Sequence, residues 1–238
     1  MLKMEHLTKH YKGSSKGVTD LSLHIAPGDI YAFIGHNGAG KTTTLKCVTG
    51  IQDFDAGTIQ IGGKDIRKDP LACKRQIAYI PDNPDLYEYL TGIQYLNFIA
   101  DVFAVGAKDR EERIQKYAEA FEITASLGDL ISTYCHGMKQ KLALLSALVH
   151  QPKLLVLDEP FVGLDPKAAV ILKDIMHSIC AEGGAIFFST HVLDVAEKLC
   201  NKVAIIREGT LVASGDMEAI VKQGQSLESI FMEVAVHV

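Results

Sequence analysis

Residues Gly35, His36, Asn37, Gly38, Ala39 and Gly40 precede Lys41, Thr42 and Thr43, so that two glycines five positions apart lead into a lysine and a hydroxyl residue. The chemistry this spacing serves is anion binding. Glycines let the backbone turn tightly and bring its N–H groups close to a phosphate chain, and a following helix adds unpaired N–H groups and the positive end of its dipole. Lys41 then supplies a point charge to the β and γ phosphates, and the Thr42 hydroxyl a ligand for magnesium. The plainer reading is a glycine-rich turn joining two elements; the lysine and threonine at the required offsets argue against it.

Two further runs carry chemistry. Asp158-Glu159-Pro160 closes the apolar stretch Leu154 to Leu157. An acid at a strand tip beside a phosphate loop can hold magnesium, and the next acid can orient or deprotonate water at the γ phosphate. Alone, the pair is equally a polar strand end before a proline turn. Ser189-Thr190-His191 repeats the arrangement on another strand, where a histidine can hydrogen-bond the γ phosphate. Tyr11 ends the first N-terminal alternating run, and its ring can either stack on an adenine or simply pack.

The elements that must position these groups follow from periodicity. Ile30 to Ile34 reads as a buried strand feeding the loop, and Lys41 to Thr49 as a helix ended by Gly50. Alternating runs over residues 2 to 34, broken by Lys12-Gly-Ser-Ser-Lys-Gly, predict an antiparallel sheet at the edge of the main domain. Gly57 to Ile66 reads as a hairpin and Gln76 to Ile80 as a strand. From Thr91 to His150 the period is helical: Ile93, Leu96, Ala100 and Phe103 share one face, and Ile114, Tyr117, Ala118 and Phe121 another behind an Asp109/Glu112 capping pair. A third helix is expected over Lys139 to His150. Strand and helix then alternate to Ile206, which implies a parallel sheet with ligand at the carboxyl ends of its strands; the tail from Asp216 reads as mixed helix.

Composition bounds the function. At 238 residues and 47% hydrophobic the chain can bury a substantial core, and a formal net charge of −5 argues against nucleic acid as the main partner. The five cysteines (Cys47, Cys73, Cys135, Cys180, Cys200) are odd in number and widely spaced, which reads as reduced thiols in a cytoplasmic protein. No window has the ~18 to 20 consecutive apolar residues that cross a bilayer, so any membrane role must come through a partner.

With these runs in order, the chain resembles an ATP-binding cassette (ABC) transporter nucleotide-binding subunit over essentially its whole length. Gly163-Leu164-Asp165-Pro166 is similar to the family's D-loop, and His191 stands at its switch histidine. Tyr134-Cys135-His136-Gly137-Met138-Lys139-Gln140 occupies the place of its signature motif. The resemblance implies an α/β fold: a P-loop NTPase core with a mostly parallel sheet, an N-terminal antiparallel β edge and an inserted α-helical subdomain. It implies one domain over 1–238, with 1–85 and 151–215 as core, 86–150 as helical signature subdomain and 216–238 as tail.

By the same resemblance, ATP and Mg2+ are the ligands and ATP hydrolysis is the reaction. Glu159 is the catalytic base and His191 its companion. Thr42, Asp158 and Asp82 face the metal, and Tyr11 stacks on adenine. Residues Cys135, His136, Gly137 and Met138 reach across a homodimer or heterodimer to the partner's nucleotide, with Asp165 coupling the two sites. An integral-membrane permease subunit is the implied partner, which would hold the chain peripherally on the inner face of the cell membrane. The Tyr79-Ile-Pro-Asp segment and the Gly-Met-Lys-Gln ending look most similar to bacterial exporters of the ABC-2 type.

Two segments, the signature run and the Tyr79-Ile-Pro-Asp segment, depart from the family pattern. Cys135 stands for a serine, His136 for a glycine and Met138 for a glutamine, leaving backbone donors but only a weak thiol donor. Asp82 replaces a glutamine; it is shorter by one methylene and anionic, so it can face magnesium but cannot donate a hydrogen bond to water. These departures keep a weakly hydrolysing regulatory module in view. A soluble ABC ATPase acting on ribosomes or DNA is a further alternative.

Overall fold

The computed structural model describes residues 1–13, 16–221 and 226–236. Ser14 and Ser15 of the expected connector, and 222–225 and 237–238 of the expected tail, lie outside the described residues. The chain opens with strands β1 (Leu2–His10), β2 (Gly17–Ile25) and β3 (Ile30–Ile34), then helix α1 (Lys41–Val48). Next come β4 (Ala56–Ile61), β5 (Lys64–Asp65), the short helix α2 (Pro70–Lys74) and β6 (Ile77–Ile80). Helices α3 (Gly92–Val102), α4 (Ala107–Ala120) and α5 (His136–Leu148) follow, the last two separated by two short 3-10 turns at Thr124–Ser126 and Ile131–Thr133. Alternation resumes with β7 (Leu154–Asp158), α6 (Pro166–Ala181), β8 (Ala185–Thr190), α7 (Leu193–Leu199) and β9 (Lys202–Arg207). The described chain ends with β10 (Thr210–Asp216), α8 (Met217–Ile220) and α9 (Leu227–Val236).

Strands β10-β9-β3-β8-β7-β6 form the main sheet in that order, parallel except at the β10 edge. A separate antiparallel sheet runs β2-β1-β4-β5. The two meet where Thr19 N–H donates to Gly209 O, 2.8 Å away, and Gly209 N–H donates to Ala39 O at 2.9 Å. This seam fixes the glycine loop to both sheets.

Strands β3, β7 and β8 are buried at every residue, as their continuous apolar runs require of central parallel strands. Alternate residues feed two cores. Phe33 and Phe187, with ring centroids 5.5 Å apart, lie in the core beneath α1 and the antiparallel sheet. Ala32, Leu155 and Phe188 lie in the core shared with α3 to α7.

Three local expectations are corrected. Helix α4 begins at Ala107 behind Gly106 with no side-chain cap, and Asp109 sits in its first turn with its carboxylate 3.2 Å from Arg113 instead of capping. Helix α5 begins three residues earlier than the apolar period suggested, with Cys135 as its extended N-cap, and it ends at Leu148. The tail is preceded by strand β10, whose half-exposed alternation hid it from a search for apolar runs. The helix expected from Thr91 is built as a capping box: Gln94 N–H donates to Thr91 Oγ1, and Thr91 N–H to Gln94 Oε1.

Candidate functional site

Register decides what meets at the site. Ile34, the last residue of β3, is level with Thr190 of β8, and Asp158, the last of β7, is level with Ser189. The chain therefore leaves these neighbouring strands at one edge, as Gly35, Glu159 and His191. A cleft of about 320 Å³ opens there, lined by Tyr11, Lys16, Gly17, His36, Asn37, Gly38, Gly40, Lys41, Thr42, Thr43, Asp82, Asp158 and Glu159.

The loop needs its glycines for reasons of space. A methyl group on Gly35 would stand 2.5 Å from Ile206 O, and one on Gly40 2.7 Å from Val18 Cγ1, with Gly40 itself at φ 108°. Gly35 and Ala39 are buried behind the loop, while His36, Asn37 and Gly38 stand exposed on it. Lys41 is 7% exposed; its ammonium donates to Gly35 O at 2.7 Å and to His36 O at 3.4 Å. Burial pulls that ammonium below the ordinary lysine range, and Glu159 and Asp158 oppose the fall. The lysine is thus a desolvated charge held in the loop it serves.

The acids sit opposite. Thr42 Oγ1 donates to Asp158 Oδ2 at 2.7 Å, and Ser189 Oγ donates to Asp158 Oδ1. Glu159 is held at φ 48°, a left-handed conformation costly for a non-glycine residue. Its N–H is anchored on β8 by Ser189 O at 3.2 Å and Ser189 Oγ at 3.1 Å. One carboxylate oxygen lies 3.8 Å from Lys41 Nζ; the other is 3.0 Å from His191 Nδ1 and accepts from His191 N–H at 3.3 Å. His191 is absent from the cleft lining and reaches it through Glu159. Asp82 is exposed on the rim. Burial pushes the nearby Tyr79 phenol up, and Asp158 and Asp82 add to the shift.

Tyr11 OH lies 3.3 Å from Thr43 Oγ1, and the ring is 37% exposed on the cleft wall. The second group of predicted residues is elsewhere. Cys135 and His136 are exposed at the start of α5, and Gly137 and Met138 are half-buried. A methyl group on Gly163 would stand 2.6 Å from the His136 ring, and Lys141 Nζ is 2.6 Å from Asp165 Oδ2, so this motif and the Asp165 loop form one surface apart from the cleft. Sequence reasoning missed the anchoring by Ser189, the Lys141–Asp165 pair, and the ring of Phe231 from α9, centred 4.8 Å from that of His36. Ser189 lay inside the Ser-Thr-His run already singled out; Phe231 had no signal at all.

The family model for ABC transporters matches residues 18–162. The chain belongs to the ABC transporter ATP-binding family. A second model, an AAA domain described as a putative AbiEii toxin of a type IV toxin–antitoxin system, matches residues 134–193. The ABC-type transporter ATP-binding protein EcsA of Bacillus subtilis (strain 168) is 31% identical over 98% of this chain and 96% of its own length. Nod factor export ATP-binding protein I of Paraburkholderia xenovorans (strain LB400) is 32% identical over 92% of this chain and 72% of its own. A solved ATP-binding subunit of an ABC transporter superposes with a TM-score of 0.93 at 33% identity, covering 98% of this chain and 99% of that one. This ABC chain is accordingly an ATP-binding and ATP-hydrolysing subunit of a transporter. None of its helices, among the described residues, is long and apolar enough to cross a membrane.

Proposed function

We propose that the cleft binds Mg-ATP and that Glu159 is the base that starts its hydrolysis. The observation that carries this reading is the Glu159 carboxylate, fixed between Lys41 Nζ and His191 Nδ1 at 3.8 and 3.0 Å. Loop N–H groups, with Lys41, grip the β and γ phosphates, and Tyr11 stacks on the base. Glu159 accepts a proton from water as the water oxygen bonds to the γ phosphorus and the bond to the bridging oxygen of ADP breaks. Lys41 offsets charge on the γ oxygens, and His191 orients the Glu159 carboxylate.

The residues present suit magnesium. Thr42, Asp158 and Asp82 offer only hard oxygen donors, and among the described residues no cluster of three His, Cys, Asp or Glu side chains is close enough to hold a metal by itself. That fits an ion whose remaining ligands are phosphate oxygens and water. Magnesium would supply charge neutralisation at the β and γ oxygens.

The ATP site is completed by a second ATP-binding domain, identical or a sister protein. Residues Cys135 to Met138 and Asp165 stand outside the cleft of their own chain, which supports their serving the partner's nucleotide. The chain is read as one ATP-binding domain, with 86–150 as its signature-bearing arm and 216–238 as a tail. A membrane permease is the proposed client, seated on the helical arm and residues 82–91. Support comes from Tyr87, Tyr89 and Phe98, whose rings lie together and are 44%, 76% and 43% exposed. This would hold the chain on the inner face of the membrane. Export is favoured because a relative similar over most of its length is named for export.

The test is Glu159→Gln. It is expected to keep Mg-ATP affinity within about twofold while lowering steady-state turnover by about two orders of magnitude or more. Undiminished hydrolysis would mean that another group activates water.

A further inference from the structure

The C-terminal helix α9 touches the phosphate loop at one place and helix α7 at another. Leu227, Ile230 and Phe231 fall on one helical face and are 0%, 9% and 7% exposed, so this face is packed down on the molecule. The Phe231 ring meets the His36 ring with centroids 4.8 Å apart and planes inclined at 55°. The first turn of α9 is tied to α7, because Leu227 N–H donates to Glu197 Oε2 at 2.8 Å. Helix α7 begins two residues after His191.

His36 is not a passive member of the loop. Its carbonyl accepts from Lys41 Nζ at 3.4 Å and from Ala39 N–H at 3.1 Å. Between Gly35 and Gly38 it stands exposed with no core of its own to fix it. The ring of Phe231, itself outside the cleft lining, packs against it. A loop that binds phosphate through backbone N–H groups works only while those groups point at one locus, and a displacement of about 1 Å is costly.

We propose that α9 is a brace for the phosphate loop, with Phe231 a positioning residue that acts through His36 on the loop and Lys41, and with Glu197 of α7 anchoring the brace beside the switch histidine. The tail thereby sets nucleotide affinity. This rests on ATP binding at the loop. It adds that residues remote in sequence, which are not themselves part of the cleft lining, tune the binding.

The experiment uses the full chain with Mg-ATP. Phe231→Ala is expected to raise both the dissociation constant and KM for ATP about threefold to tenfold while kcat stays within about twofold, the scale of a lost ring contact. Phe231→Leu, which keeps the burial but loses the ring contact, is expected to shift affinity in the same direction without a fall in melting temperature, and it carries the test if the alanine variant folds poorly. His36→Ala should give a similar shift, and the His36→Ala/Phe231→Leu double variant no more than either alone. Met232→Ala, at a 49% exposed site on the same helix, should leave affinity unchanged.

Wild-type affinity retained in Phe231→Leu, or additive effects in the double variant, would overturn the brace. A failure of the wild-type chain to bind Mg-ATP, with Lys41→Ala no worse, would overturn the site itself and is a separate result.

Discussion

Gly40 and Gly38 belong to one loop yet answer to different physics. Gly40 has φ 108° and no room for a methyl group, with Val18 Cγ1 at 2.7 Å and Gly17 O at 3.0 Å from the ideal position; Gly38 has φ 84° but nothing within 4 Å. Gly38→Ala meets only backbone strain and is expected to cost about 1 kcal/mol in a urea melt. Gly40→Ala adds a clash with neighbouring backbone and is expected to cost about 2 to 4 kcal/mol and to weaken ATP binding measurably. Equal losses would mean that the loop has slack at its base. At this scale much was legible. The spacing from Gly35 to Thr42 and the two acids after Leu157 found residues that do converge, because the chemistry constrains residue type at each position. The bond from Ser189 Oγ to Asp158 was not legible, since a serine on a buried strand has no unique partner until register is known.

Asp165 works at the scale of an element. Its carboxylate accepts from Ala168 N–H at 2.8 Å, capping α6, and pairs with Lys141 of α5 at 2.6 Å, so one side chain joins the signature helix to the helix after the acids. Lys141 first, and the cap second, hold its pKa below the ordinary aspartate value of 3.8. A carboxylate depressed in the folded state contributes stability that is complete above its unfolded pKa and is lost as pH falls through the lower folded value. The stability gap between wild type and Asp165→Asn should therefore be constant from neutral pH down to about pH 5 and close below about pH 4. A gap independent of pH down to pH 3 would show that the charge contributes nothing. Helix α6 starts at Pro166 behind the Asp165 cap, whereas the proposed cap at Asp109 failed. There the helix starts at Ala107 behind Gly106, and Asp109 pairs with Arg113 at i+4 instead. Sequence shows that an acid is near a helix start, but not which turn it occupies.

The whole molecule presents two separate surfaces, the signature residues and Asp165 lying outside the cleft lining. The cleft holds the lysine and the acids, while the start of α5, with Cys135, His136 and Gly137, is packed on Gly163 and Asp165. Sequence could bring these motifs into one list but could not separate them in space; that required the inserted helices, whose apolar faces at Leu96, Ala100, Ile114 and Ala118 bury them together in the core under the sheet. If ATP is closed in by a second domain, the exposed Cys135 is where the two surfaces trade a hydroxyl for a thiol. A thiol is a weak donor, so the present sequence should close on γ phosphate less firmly than a serine variant, with the N–H groups at the head of α5 doing most of the binding. Cys135→Ser is therefore expected to shift the monomer–dimer equilibrium of the hydrolysis-blocked Glu159→Gln chain toward dimer by about threefold to tenfold with Mg-ATP, the value of one neutral hydrogen bond, and not at all with Mg-ADP. Sedimentation velocity over a concentration series reads both. A gain that appears equally with ADP would assign the effect to packing at the interface, and no gain with either would place Cys135 outside the phosphate's reach.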